Sequence, residues 1–292
     1  MKTAVITGAA AGIGRETAKL FARKGYRVVL ADIDEAGAAA LAREIESGGG
    51  HAVAHLLDVR SEQQWETFGS WVRAEFGWAD VLVNNAGVMD LGGFVETTVA
   101  QWQRMVDIDL MSVVYGSRVF ARLMIEAGVR GHIVNLASAA AFLPSKLDPA
   151  YGVAKSAVLM ATQSLRIELR QHHIGVTAVC PGVIQTNLLA HGERHGLSAA
   201  EQEKWRAQAG GLQANLAYAG PDKVARAIER SVRHNWAVVP VNPEAWAIYG
   251  LIRLSPTLAR VIPSILSFER AEQLLELGKP LLNQLAKGRS AQ

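Results

Sequence analysis

The chain is poor in the features that mark whole classes of protein. A single cysteine, Cys180, stands in 292 residues, which excludes an internal disulfide and fits a reducing compartment. Its expected role is that of a small buried hydrophobe. Aromatic residues make up 7% of the chain and the formal net charge is only +3. With so little charge and no Lys/Arg cluster interleaved with aromatics, a nucleic-acid partner is excluded. No uninterrupted apolar run is long enough to span a bilayer. Internal repeats and low-complexity linkers are also lacking. The opening "MKTAVITGAAAGIG" enters an apolar strand at Thr3 and a glycine turn by Gly8. A cleavable leader would take both away, so none is expected and a cytoplasmic location follows.

What is present is an ordinary globular composition, half hydrophobic and one fifth charged. Short β-rich runs at 3–7, 27–31, 51–57, 80–84, 131–137, 174–180 and 236–241 alternate with helical patterns. The helices are expected at 12–24, 34–47, 61–76, 99–127, 149–172 and 221–234. Apolar runs without polar alternation suit strands buried on both faces. The order predicts an α/β fold, a doubly wound parallel sheet of Rossmann type. One domain is expected over 1–243, with a helical C-terminal extension over 244–292. Residues 183–219 are polar and poorly periodic, and are read as an irregular mobile cover over a site.

"TGAAAGIG" at 7–14 lies between the first strand and the first helix. Gly8, Gly12 and Gly14 bare the backbone, and the helix N-terminus offers free N–H groups to a pyrophosphate. A glycine spacing alone is a weak signal; strand, turn and helix in this order make it a dinucleotide site. Asp32 ends the second strand, 18 residues beyond Gly14. A carboxylate there suits a ribose 2′-hydroxyl and repels a 2′-phosphate, and Ile33 and Asp34 supply no cation to rescue it. NAD is therefore favoured over NADP.

"AYGVAKSA" at 150–157 puts Tyr151 and Lys155 four residues apart, on one face of a helix. Two such side chains are ordinarily just amphipathic surface residues. A nearby cation, however, favours phenolate, and lowering a phenol by roughly three units takes about 4 kcal/mol. On this reading Lys155 makes Tyr151 an acid or base usable near neutrality.

Taken together the motifs resemble the short-chain dehydrogenase/reductase family over about residues 2–240. "TGAAAGIG", including Ile13, matches the cofactor turn, and "NNAG" at 84–87 matches the segment after the fourth strand. Asp58 and Val59 match the pair after the third strand that contacts adenine. Ser138 ends "NLAS", Tyr151 follows in "YGVAK", and Thr186 closes "CPGVIQT". The resemblance implies an enzyme interconverting a secondary alcohol and its ketone. In that enzyme Tyr151 would exchange the proton and Ser138 would orient the substrate oxygen. Lys155 would hold the nicotinamide ribose and lower the tyrosine's pKa. It also implies that Gly8, Gly12, Ile13, Gly14, Asp32, Asp58, Val59, Asn85, Ala86, Gly87 and Thr186 line the cofactor, Thr186 at the carboxamide. A homodimer or homotetramer built on the two long helices is implied as well.

One position departs from the family. Where it carries asparagine in a pattern like V-N-L-x-G, "MVDIDLMSVVYG" places Asp109. Asparagine donates and accepts, fixing a kink and a water; ionised aspartate only accepts. Activity is expected to survive, and a non-catalytic dinucleotide-binding sensor or scaffold is the rival reading. His191 and His195 have metal-gripping spacing, but no third ligand is evident, so an exposed loop and no metal are expected. The apolar segment 244–268 is interrupted by Arg253, Pro256, Arg260 and Pro263, and residues 251–292 hold six Lys/Arg against three Glu. It reads as a packing tail, or alternatively as an interfacial segment that touches an anionic membrane. With the cover at 183–219, this tail suggests a bulky or lipophilic substrate.

Overall fold

The strands pair in the order β3-β2-β1-β4-β5-β6-β7, every pair parallel. They are β1 (Thr3–Thr7), β2 (Arg27–Asp32), β3 (His51–Leu56), β4 (Val81–Asn84), β5 (His132–Leu136), β6 (Gly175–Pro181) and β7 (Val238–Val241). The helices are α1 (Gly12–Arg23), α2 (Glu35–Ser47), α3 (Glu62–Phe76), α4 (Val99–Val106), α5 (Ser112–Glu126), α6 (Pro149–Leu169), α7 (Ala199–Leu216), α8 (Pro221–His234) and α9 (Pro243–Leu254). The computed structural model describes residues 1–186, 188–189, 192–216, 219–255 and 257, without the side chains of 208–216. Most of the apolar basic tail, and His191 with it, lies outside the described residues. Among the described residues no helix is long and apolar enough to cross a membrane.

Strand alternation builds two cores. Ala4, Ile6, Val28, Leu30, Val83 and Val134 point to one face, where Phe21 of α1, Leu41 of α2 and Ile228 of α8 cover them. Val5, Val29, Leu82 and Ile133 point to the other, against Trp65 and Phe68 of α3 and Phe120 and Met124 of α5. With both faces covered, the central strands contain no exposed position and read as the apolar runs seen in the sequence. Cys180 is buried in β6, where burial pushes its thiol up to about 12.

The helix expected over 99–127 is present as α4 and α5, joined without a break by a π turn at Asp107–Met111, where Ser112 Oγ donates to Ile108 O at 2.5 Å. One expectation is corrected. The cover at 183–219 is not irregular throughout, because α7 occupies half of it. Its apolar residues are not confined to one face, so the helix lacks the periodic stripe by which helices are found in sequence.

The chain order reverses direction across the sheet at β1 and β4. In open parallel sheets ligands bind outside the carboxyl ends of the strands at such a switch point. Gly8, Asn85, Ser138 and Gly182 all lie just beyond strand carboxyl ends.

Candidate active site

The turn after β1 is built by close backbone approach. Gly8 adopts φ +62°, and a Cβ on Gly14 would stand 2.1 Å from Gly8 O, so neither position has room for a side chain. Asn85 ties this turn to β4. Its backbone N–H donates to Thr7 Oγ1 at 3.0 Å, and its side-chain amide donates to Thr7 O at 2.9 Å and Gly8 O at 3.2 Å. Ala86 N–H also donates to Thr7 Oγ1, at 3.0 Å. Helix α1 starts from Ala11 without a side-chain cap and carries no acid in its first turn. An N-terminus so arranged keeps its positive end for an outside anion. The Asp32 carboxylate reaches across from β2, accepting from Ala10 N–H at 2.8 Å and Asp34 N–H at 2.9 Å. Thr186 borders the same turn, its Cγ2 3.5 Å from where a Gly12 Cβ would stand. Gly8, Gly12, Gly14, Asp32 and Thr186 thus border one cradle, while Ile13 packs against the hydrophobic core.

Asp58 and Val59 follow β3, but both are already engaged. Arg60 clasps the Asp58 carboxylate with a 2.6 Å contact from Nη2, which holds it below the usual carboxylate range, and Val59 O accepts from Trp65 Nε1 at 3.0 Å. Asn84 is a brace within the sheet, donating to Asn135 Oδ1 at 2.8 Å.

The second cluster lies beyond β5. Ser138 caps a 3-10 turn, accepting from Ala140 N–H at 3.1 Å. Tyr151 and Lys155 enter from the first turns of α6, where Pro149 sets the helix start. Both are buried, 7% and 4% exposed. Lys155 Nζ donates to Leu136 O at 3.1 Å and lies 3.1 Å from Asp109 Oδ1. The π turn is what aims Asp109 inward. Asp109 Oδ1 also accepts from Val88 N–H at 3.3 Å, whereas Oδ2 is buried without a hydrogen-bond partner among the described residues. Gly87 is glycine because the pair passes over it: a Cβ there would stand 2.6 Å from Asp109 Oδ1 and 3.4 Å from Lys155 Nζ. Through Gly87 and Ala86 the ion pair adjoins the cradle.

This arrangement corrects the expected electrostatics. Burial, then the Asp109 charge, raises the Tyr151 phenol above its ordinary value, while the Ser138 side chain works the other way. Lys155 is spent on Asp109 and its Nζ stands 5.6 Å from the tyrosine ring centroid. Burial likewise raises the Asp109 carboxyl, and the Lys155 charge opposes this.

His195 is also corrected. It is buried, not in an exposed loop, and its donor atoms lie within 4.8 Å of those of Asp90 and Glu193. Asp90 lies 105 residues away in sequence and gives no local signal. Arg104 Nη1 meets Asp90 Oδ2 at 2.5 Å and Arg206 Nη2 meets Glu193 Oε1 at 3.6 Å, so both carboxylates are balanced without an ion.

The parallel sheet thus carries a glycine cradle at its switch point, with Ser138, Tyr151 and Lys155 beside it. The chain belongs to the short chain dehydrogenase family, whose model matches residues 2–195. It is 42% identical over 257 residues to the probable oxidoreductase EphD of Mycobacterium tuberculosis, a match covering 87% of this chain and 43% of that protein. The chain thus spans less than half the length of that relative. It is 39% identical over 183 residues to sorbitol dehydrogenase of Cereibacter sphaeroides, covering 63% of this chain and 70% of the relative. A short chain dehydrogenase/reductase from Burkholderia phymatum, solved in complex with NAD, superposes with a TM-score of 0.80 at 28% identity, covering 89% and 95% of the two chains.

Proposed function

We propose that the protein is an NAD-dependent oxidoreductase interconverting a secondary alcohol and its ketone. The observation that carries this reading is the convergence of half-buried Ser138 with buried Tyr151 and Lys155 next to the glycine cradle. Bound nicotinamide supplies the hydride donor or acceptor. Ser138 donates a hydrogen bond to the substrate oxygen, and the Tyr151 hydroxyl gives or takes the proton at that oxygen. Lys155 reaches the nicotinamide ribose from one side while Asp109 holds its other side. Because Tyr151 keeps its proton tightly, the resting site is set as a proton donor, the state that ketone reduction requires. Alcohol oxidation calls for a rising pH, or for a cation beside the phenol.

Asp32 favours NAD, since its carboxylate would face the 2′-phosphate of NADP. The sequence-based cofactor contacts are proposed for Gly8, Gly12, Ile13, Gly14, Asp32, Ala86, Gly87 and Thr186. Asp58, Val59 and Asn85 are given supporting parts, because they already hold Arg60, Trp65 and the turn. Residues 1–243 are proposed as the catalytic domain and 244–292 as an extension, in a cytoplasmic homodimer or homotetramer.

The substrate is proposed to be bulky and apolar. Tyr151 packs in a cluster with Met105, Ala150, Val88, Met89 and Trp102, a wall with little polar character. The sorbitol dehydrogenase relative supports a second reading, a polyol substrate. An alcohol and ketone screen following NADH absorbance, with Tyr151→Phe alongside, tests the proposal. Turnover of secondary alcohols that falls about 10²–10⁴-fold in the variant is expected for loss of a general acid. No turnover of any alcohol or ketone by the wild type would favour the non-catalytic sensor, and polyols turning over best would replace the apolar substrate class. Asp32→Ala should erode the preference for NAD over NADP, and unchanged discrimination would refute its part.

A further inference from the structure

We propose that His195 is held as an imidazolium and, in that form, is a positioning residue fastening residues 192–196 across the wall of the substrate cleft. The inference rests on the reading of that cleft given above. Residues 192–196 lie beside the segment after β4 through three bonds. Leu91 N–H donates to Glu193 O at 2.7 Å, His195 N–H donates to Leu91 O at 2.7 Å, and Glu193 N–H donates to Asp90 Oδ1 at 2.9 Å. The same segment supplies Val88 and Met89 to the wall around Tyr151. The side chain of His195 closes this junction from within.

The hydrogen bonds assign its protons. Thr97 Oγ1 lies 2.8 Å from Gly93 O, a separation between two oxygens that needs a proton between them. The threonine hydroxyl has one proton, so at the 2.9 Å contact with His195 Nδ1 it must accept, and Nδ1 carries hydrogen. The other ring nitrogen, Nε2, is buried without a hydrogen-bond partner among the described residues and faces Asp90 Oδ2 at 3.7 Å. In a neutral ring that nitrogen would aim a bare lone pair at a carboxylate. A proton on Nε2 turns this repulsion into attraction.

The charged groups around the ring are Asp90 from the segment after β4, Arg104 of α4 on Asp90, Glu193 of its own segment, and Arg206 of α7 on Glu193. The two guanidinium side chains are 32% and 46% exposed and are screened by water, whereas those of Asp90 and His195 are 1% and 2% exposed. Inside the junction the imidazolium and Asp90 therefore face each other. His132 gives the contrast within the same molecule. Its Nε2 meets Thr177 Oγ1 at 2.8 Å, that hydroxyl donates to Trp236 O, and its Nδ1 packs on Gly175 with no carboxylate opposite among the described residues. Burial, with Arg166 nearby, holds His132 neutral down to about 4. Similar threonine wiring thus leaves one ring neutral and the other charged, according to what the second nitrogen faces.

The test uses the full chain with ¹⁵N-labelled histidine, recording ring nitrogens from pH 5.5 to 9 and amide exchange over the same interval. His195→Gln and His132→Gln assign the signals, and Asp90→Asn removes the facing carboxylate. Protons on both His195 nitrogens at pH 6, with His132 carrying one, are expected. As His195 then loses its proton, exchange at 192–196 should quicken by about tenfold or more beyond the intrinsic rate, as the loss of a buried charge pair implies. That quickening should vanish in Asp90→Asn. A bare Nε2 at pH 6, exchange that merely tracks the intrinsic rate, or a ring signal altered by EDTA and so marking a metal ion, would each overturn the proposal. The wild-type spectra decide this even if a variant does not fold, and none of the readouts depends on turnover.

Discussion

Two buried carboxylates flank the tyrosine wall, and they are used in opposite ways. Asp90 has both oxygens engaged: Oδ1 takes a backbone N–H at 2.9 Å and Oδ2 meets Arg104 at 2.5 Å. Its cation reaches solvent, and the pair joins the segment after β4 to α4. Asp109 has one oxygen on Lys155 and Val88 and the other on nothing among the described residues, and its cation is buried with it. The two are linked, for the Asp90 charge adds to what raises Asp109. The difference shows which acid is spent on architecture. A satisfied carboxylate beside a half-exposed arginine fixes geometry. A half-satisfied one beside a buried lysine is a charge held in reserve, and the Tyr151 phenol responds to it.

The widest separation between the two should come from deleting each acid. Asp109→Leu strands a buried ammonium and should cost about 3–5 kcal/mol, read from urea unfolding. Asp90→Leu leaves Arg104 free to reach water, and the one charge it strands, on the His195 ring, is shed far more cheaply than that of an ammonium, so it should cost clearly less; equal losses would erase the distinction. Next in size is Gly87→Ala, whose Cβ would press on the Asp109–Lys155 pair. Overpacking of this kind costs roughly 1–3 kcal/mol, visible as a lowered Tm, and a neutral substitution would show that the pair is loosely held.

A third experiment leaves both acids in place and removes the phenol that one of them acts on. Folded Tyr151 holds its proton more tightly than the unfolded chain does, so its contribution to stability is whole below about pH 10, the unfolded value. It is lost as pH rises from there through the higher folded value. Tyr151→Phe should therefore flatten the fall in unfolding free energy above pH 10. A wild type whose stability does not fall there would contradict the assignment.

Much of the sheet was legible because burial on both faces leaves uninterrupted apolar runs, and "TGAAAGIG", "NNAG" and "YGVAK" sit at its switch point in order. The departure at Asp109 was also visible, since it interrupts a familiar pattern. Its consequence was not. Four-residue spacing brings Lys155 to Tyr151, yet the direction in which the phenol shifts depends on its burial and on an acid 42 positions before the tyrosine, delivered by a π turn that helical periodicity does not reveal. His195 failed for a related reason: its burial depends on Asp90 and Thr97, which approach only through tertiary contact. Helix α7 carries no one-sided apolar stripe, so only the surrounding fold discloses it.

The central claim, that Tyr151 moves the substrate's proton under the control of Asp109, is tested most directly by the pH dependence of kcat/KM for alcohol oxidation in the wild type and in Asp109→Asn. Asparagine keeps the shape and removes the charge that raises the phenol. The account predicts that the ascending limb moves to lower pH, by about one unit for a single buried charge nearby. Superimposable limbs in two folded, active proteins would contradict it.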